Sequence, residues 1–222
     1  MIEFVFMLTH HDRTVPDAEK VLADLRGTGL RFVGCKDVGA TPERLRDLVA
    51  RAHDDGLQIM LEVVSTSRDD ELTSVRAAAD AGFDWVLGGT HAVDAAALLA
   101  GSGIRYCPFP GRIVGHPSVL EGEIDEIARS AAELTALDGV HGVDLLAYRH
   151  ATADVGALTA AVVRASSGPV IAAGSVVDED QITTLAKAGA WGFTIGGAIF
   201  EGRLPGGPDV PAQVRHVLTI AA

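Results

Sequence analysis

The feature that most constrains this chain is an alternation. A short apolar run of strand length is followed by a cluster of Gly, Ser, Thr or His, then by an Ala-rich stretch of helix length, and the unit repeats from end to end. The apolar runs are Ile2–Leu8, Arg31–Cys35, Gln58–Val64, Trp85–Leu87, Ile104–Cys107, Val143–Ala147, Val170–Ala173 and Gly192–Ile195. Helical stretches are expected over Pro16–Arg26, Pro42–Asp54, Asp69–Ala81, Ala92–Ala100 and Ile124–Leu137, among others. Strands that alternate with helices predict a parallel sheet covered by helices. The count of eight predicts closure into a single (β/α)₈ TIM barrel spanning 1–222, a length within the range of that fold. An open doubly wound sheet uses the same alternation, but no GxGxxG follows the first run to support a dinucleotide site.

Composition narrows the partners. The formal charge is −12, and with only three lysines, Lys20, Lys36 and Lys187, the chain lacks the clustered cations a nucleic acid requires. A small anion remains allowed, because backbone N–H groups and a helix N-terminus can hold one without a basic surface. The N-terminal apolar run carries Glu3 and is too short for a membrane span, so no membrane association and a cytoplasmic location are expected. Cys35 and Cys107 sit apart in apolar runs and read as buried free thiols. No HxH, HExxH or CxxC spacing supports a metal, although His10, Glu62, His91 and His150 could meet at a barrel mouth. Neither a metal nor a cofactor is expected.

The last third reads Pro169-Val-Ile-Ala-Ala-Gly174-Ser175 and, after a helix, Gly192-Phe-Thr-Ile-Gly196-Gly197-Ala-Ile-Phe. Glycine at a strand's carboxyl end lets N–H groups approach an anion, and a short helix from Ala198 would add its positive end. Phosphate is often held in barrels at these two junctions, so Gly174, Ser175, Gly196 and Gly197 are the expected phosphate ligands. The segment from about Pro169 to Leu204 resembles the ribulose-phosphate-binding barrel superfamily. It is similar to the histidine-biosynthesis isomerase and cyclase barrels and, from Val170 to Ile199, to N-acetylmannosamine-6-phosphate epimerase. The resemblance implies a phosphorylated sugar or similar small phosphate ester as ligand, with chemistry at the carboxyl ends of the strands. It transfers no particular reaction, because the epimerase has an acid where this chain has Ala173 and Gly-Arg where it has Gly174-Ser175.

Reactive side chains at the carboxyl ends of the runs are the candidates for chemistry. They are His10, His11 and Asp12 after the first, Lys36 and Asp37 after the second, Glu62 inside the third, His91 after the fourth, and Arg149 and His150 after the sixth. Glu62 lies in the apolar frame Met60-Leu61-Glu62-Val63-Val64 and is costly to bury alone, so Lys36 on the neighbouring run is its natural partner. One reading makes Glu62 a general base beside a carbonyl and Lys36 the cation that stabilises the enolate. The other makes them a structural ion pair. His10 and His91 are further catalytic candidates as proton shuttles, and Arg149, His150 and Arg112 are substrate-binding candidates. Arg112 and His116 lie in a long fifth loop that suits a lid or, equally, a contact in a homo-oligomer.

The expected activity is therefore isomerisation or epimerisation of a phosphorylated small molecule through an enediolate. The alternatives are an aldolase or decarboxylase using Lys36 as a Schiff base, and a phosphometabolite-binding protein without catalysis.

Overall fold

The computed structural model describes residues 1–65 and 67–222. Eight parallel strands run β1 (Glu3–Met7), β2 (Phe32–Lys36), β3 (Gln58–Val63), β4 (Trp85–Gly88), β5 (Arg105–Cys107), β6 (Val143–Leu145), β7 (Val170–Ala172) and β8 (Gly192–Ile195). Apart from β5 and β6, consecutive strands pair, and β8 pairs with β1 in the register Glu3 with Gly192 through Phe6 with Ile195. Only the seam between β5 and β6 lacks a ladder, and two backbone bonds bridge it: His141 N to Tyr106 O at 2.8 Å and Asp144 N to Pro108 O at 3.0 Å. This is the (β/α)₈ barrel that the alternation predicts.

The helices α1 (Ala18–Asp24), α2 (Pro42–Asp54), α3 (Arg68–Ala81), α4 (Ala92–Leu99), α5 (Ile124–Thr135), α6 (Val155–Ala165), α7 (Glu179–Ala188), α8 (Gly197–Phe200) and α9 (Val210–Ala221) follow the strands. Their starts show the expected chemistry. In α2, Thr41 accepts from Arg44 N and Pro42 opens the first turn, while Leu45, Leu48, Val49 and Ala52 form the buried stripe. The chain ends by closing the barrel floor, with Ile2 N donating to Ala221 O at 2.9 Å.

Two features depart from the sequence reading. Helix α1 is shorter than Pro16–Arg26, because Pro16 and Asp17 form a turn ahead of it and Leu25 and Arg26 belong to the turn that runs into Gly27 at φ +76°. The connections after β1 and β5 also fold back as small antiparallel hairpins, Thr9–His10 with Arg13–Thr14 and Arg112–Val114 with Val119–Glu121. Strands of two or three residues carry too little periodicity to read in advance.

Side chains inside the barrel divide along its axis. At the amino end Trp85, Trp191 and Phe32 pack together, the indole centroids 5.3 Å apart. Val5, Met7, Met60, Leu87, Cys107 and Ile171 continue this apolar interior. At the carboxyl end the inward positions are Lys36, Glu62 and Asp144, all buried. The charged end is where chemistry is to be sought.

Candidate active site

A cavity of about 240 Å³ opens at the carboxyl end, walled by the ends of β1, β2, β3, β7 and β8. Lys36 and Glu62 are register partners on β2 and β3 and both line it. Lys36 Nζ lies 3.6 Å from Glu62 Oε1, and the two side chains are each 5% exposed. The pairing read from the sequence is thus present in the geometry.

A third group completes it. Lys36 Nζ donates to Asp12 Oδ1 at 2.5 Å, and Arg149 Nη2 donates to the same oxygen at 2.9 Å. Asp12 reaches this point from the first hairpin, whose turn residues His11 and Asp12 have φ of +49° and +55°. The hairpin is tied to β2 by Thr14, whose hydroxyl accepts from Lys36 N at 2.9 Å and donates to Lys36 O at 2.8 Å. Burial pushes the Asp12 carboxyl up, but the hydrogen bonds and charges of Lys36 and Arg149 outweigh it and hold the pKa at about 2.

Asp144 is the carboxylate that sequence reasoning missed. It projects inward from β6 at the seam, has no exposure, and neither oxygen has a hydrogen-bond partner among the described residues. Burial is the main cause that raises its pKa well above the ordinary 3.8, the nearby charge of Glu62 adds to it, and Lys36 and Arg149 oppose it only in part. Burial this complete favours the protonated, uncharged form of the carboxyl. Its signal was available: Val143-Asp144-Leu145 sets an acid in an apolar frame, as the frame around Glu62 does.

The two glycine junctions line the same cavity. Gly174 has φ +76°, and a Cβ there would lie 2.4 Å from Arg149 Nε, so glycine lets the guanidinium lie flat across the turn. Ser175 follows at φ +61°. At Gly196 a Cβ would lie 2.6 Å from Thr9 O, so glycine lets β8 close against the first hairpin. Gly197 opens α8, whose first N–H groups lack intrahelical acceptors. Arg203 also lines the cavity and was not singled out from the sequence.

The remaining candidates are distributed differently. His10 lines the cavity beside Gly197, stacked on His11 with centroids 3.7 Å apart and with Nε2 3.3 Å from Glu201 Oε1. His91 does not line the cavity. It opens α4, and buried Glu71 takes up both its backbone N–H at 2.9 Å and its Nδ1 at 2.8 Å. His150 is likewise outside the cavity, with Nδ1 accepting from Ala153 N at 3.0 Å and Nε2 donating to Gly122 O at 2.8 Å. Arg112 is exposed on the second hairpin and pairs with Glu121. Asp37 braces β3 by accepting from Val64 N and from the Ser65 and Ser74 hydroxyls.

Both cysteines are buried and unpaired, and burial pushes the Cys35 thiol up to about 12. Among the described residues, no three or more His, Cys, Asp or Glu side chains are arranged to hold a metal ion, and no helix is long and apolar enough to cross a membrane.

Fold and site together define a (β/α)₈ barrel with a polar cavity at the carboxyl ends of its strands, the end at which barrel enzymes work. Several solved structures share this fold. They include orotidine 5′-phosphate decarboxylase from Pyrococcus horikoshii OT3, with TM-score 0.67 and 14% identity over 97% of this chain and 99% of that one. Tryptophan synthase from M. tuberculosis gives 0.70 and 14% over 99% and 92%. N-acetylmannosamine-6-phosphate 2-epimerase from Clostridium perfringens, the epimerase named in the sequence resemblance, gives 0.62 and 12% over 88% and 86%. At these identities the likeness is one of fold. No protein-family model matches the sequence, and no curated protein does.

Proposed function

We propose that the cavity binds a small phosphate ester and moves a proton beside its carbonyl, as an isomerase or epimerase working through an enediolate. The observation that carries this reading is the meeting of Lys36 and Glu62, 3.6 Å apart and buried, in one cavity with both glycine junctions. The phosphate rests on the N–H groups of Gly174, Ser175, Gly196 and Gly197, with the start of α8 and Arg203 adding positive potential. Glu62 removes the proton next to the carbonyl, and Lys36 stabilises the oxyanion that forms.

The epimerase and the decarboxylase that share the fold carry a phosphate in their substrate names, which favours the same ligand class here. The Schiff-base alternative is less favoured, because Lys36 Nζ is engaged as a donor to Asp12 at 2.5 Å. An amine attacking a carbonyl needs its lone pair free.

The test is deuterium incorporation from heavy water into a panel of aldose and ketose phosphates, followed by proton NMR. Exchange at the carbon beside the carbonyl is expected, with a loss of roughly 100-fold or more in Glu62→Gln. Binding without exchange for the whole panel would move the reading to a non-catalytic binder. A borohydride-trapped adduct on Lys36 would move it to an aldolase or decarboxylase.

A further inference from the structure

The contact between Asp12 and its two cations has an unusual form. Lys36 Nζ and Arg149 Nη2 converge on one carboxylate oxygen, at 2.5 and 2.9 Å, inside the cavity that a ligand must enter. The three side chains are 5%, 16% and 13% exposed for Lys36, Arg149 and Asp12, so the cations are held largely out of water. The acid that neutralises them comes from neither of their own strands. It sits at the tip of a hairpin with two residues in each arm, through a turn whose central residues are both non-glycine in the left-handed region. Thr14 anchors the arms of the hairpin to β2 through its two bonds to Lys36, while the Asp12 side chain at the tip is held by the two ion pairs. If another anion takes the cations, the Asp12 carboxylate can swing aside while the hairpin stays anchored.

We infer that Asp12 is a placeholder for a second anionic group of the ligand, a carboxylate besides the phosphate, which displaces it from between Lys36 and Arg149. The substrate class is then a small phosphorylated sugar acid or oxo acid, not a neutral sugar phosphate. The assignment of the phosphate end rests on the proposed function. The carboxylate end rests on the clamp itself.

The arrangement also filters ligands. Moving Asp12 aside leaves two largely buried cations with Glu62, 3.6 Å from Lys36, as their remaining counter-charge, so a phosphate ester with no second anion gains nothing by displacing it. One that brings a carboxylate restores both pairs. With its carboxylate there, the ligand's neighbouring carbon falls beside Glu62, 3.6 Å from Lys36, where a proton made acidic by the carbonyl or carboxylate is within reach of the base.

Three probes separate the parts by calorimetry. Ethyl phosphate offers a phosphate with no carboxylate, oxalate offers carboxylates with no phosphate, and 2-phosphoglycolate offers both, with Arg149 bordering Gly174 as well as Asp12. The wild-type protein is expected to bind 2-phosphoglycolate at least tenfold more tightly than ethyl phosphate. Asp12→Asn, which leaves the cations without their anion, is expected to bind oxalate at least tenfold more tightly than the wild type, and Arg149→Gln added to it should remove that gain. Equal affinity of the two esters for the wild type overturns the inference. So does an oxalate affinity that stays the same or falls in a folded Asp12→Asn protein. If that variant does not fold, the wild-type comparison decides. If ethyl phosphate fails to bind, the phosphate reading falls while the oxalate arm still decides the clamp.

Discussion

Gly174→Ala isolates the contribution of one turn to anion binding. Gly174 has φ +76°, where an alanine pays a backbone penalty of roughly 1–2 kcal/mol, and the new Cβ would stand 2.4 Å from Arg149 Nε. A control with the same backbone is available in Gly27, also at φ +76°, where an added Cβ meets nothing within 4 Å. Both alanines should therefore lower the melting temperature by roughly 2–8 °C, at about 2–4 °C per kcal/mol for a domain of this size. Only Gly174→Ala must also displace the Arg149 side chain that lies against the turn at the cavity. In calorimetric titrations with ethyl phosphate, Gly27→Ala should bind like the wild type, and Gly174→Ala should lose at least tenfold in affinity. If a folded Gly174→Ala keeps wild-type affinity, the turn is a structural corner and the phosphate assignment at β7 is wrong.

Other perturbations test the remaining parts. Glu71→Ala leaves the N–H groups of Thr90 and His91 and the His91 ring without their buried acceptor, so urea unfolding should show a loss of roughly 3 kcal/mol or more. A loss below about 1 kcal/mol would contradict a bracing role for Glu71. Asp12, held at about 2 against an ordinary 3.8, favours the folded state at neutral pH, and that contribution fades as pH falls from about 4 to 2. Asp12→Asn should flatten this acid limb in melts at graded pH, and an unchanged limb would contradict the ion pairs. Asp144 has the opposite sign: the folded state keeps a proton that the unfolded chain releases above about 3.8, so its contribution to stability declines as pH rises from there toward its raised folded value. Asp144→Asn should lack that decline, and parallel pH–stability curves for the two proteins would show that Asp144 is already ionised.

The sequence made the barrel legible because its signal repeats eight times, and no single element had to be read well. Glu62 and Lys36 were legible for a local reason, each a charge at the end of an apolar run on adjacent strands. What stayed hidden depended on direction. His91 and His150 follow strand ends as Lys36 does, yet sequence position does not say whether a residue beyond a strand turns into the barrel or back onto a helix. Glu71, twenty residues upstream of His91, settles that by taking both its N–H and its ring nitrogen. Asp12 was visible as a polar residue, but its role depends on a hairpin too short to leave a pattern.

Asp144 shows how the site and the fold constrain each other. Strands that place Trp85 and Phe32 at one end of an interior and Lys36 and Glu62 at the other create a gradient from apolar to charged along the barrel axis. A third acid in the charged layer has two options. If it ionises, Lys36 and Arg149 face Asp12, Glu62 and Asp144 together, and the cavity turns repulsive to an anionic substrate. If it stays protonated, two cations face two carboxylates, and displacement of Asp12 leaves a net positive charge for the incoming anion. The absence, among the described residues, of any hydrogen bond to either Asp144 oxygen favours the second option, since an ionised carboxylate at that depth would need donors. The seam between β5 and β6, which two single backbone bonds join, is where the barrel accommodates that buried acid.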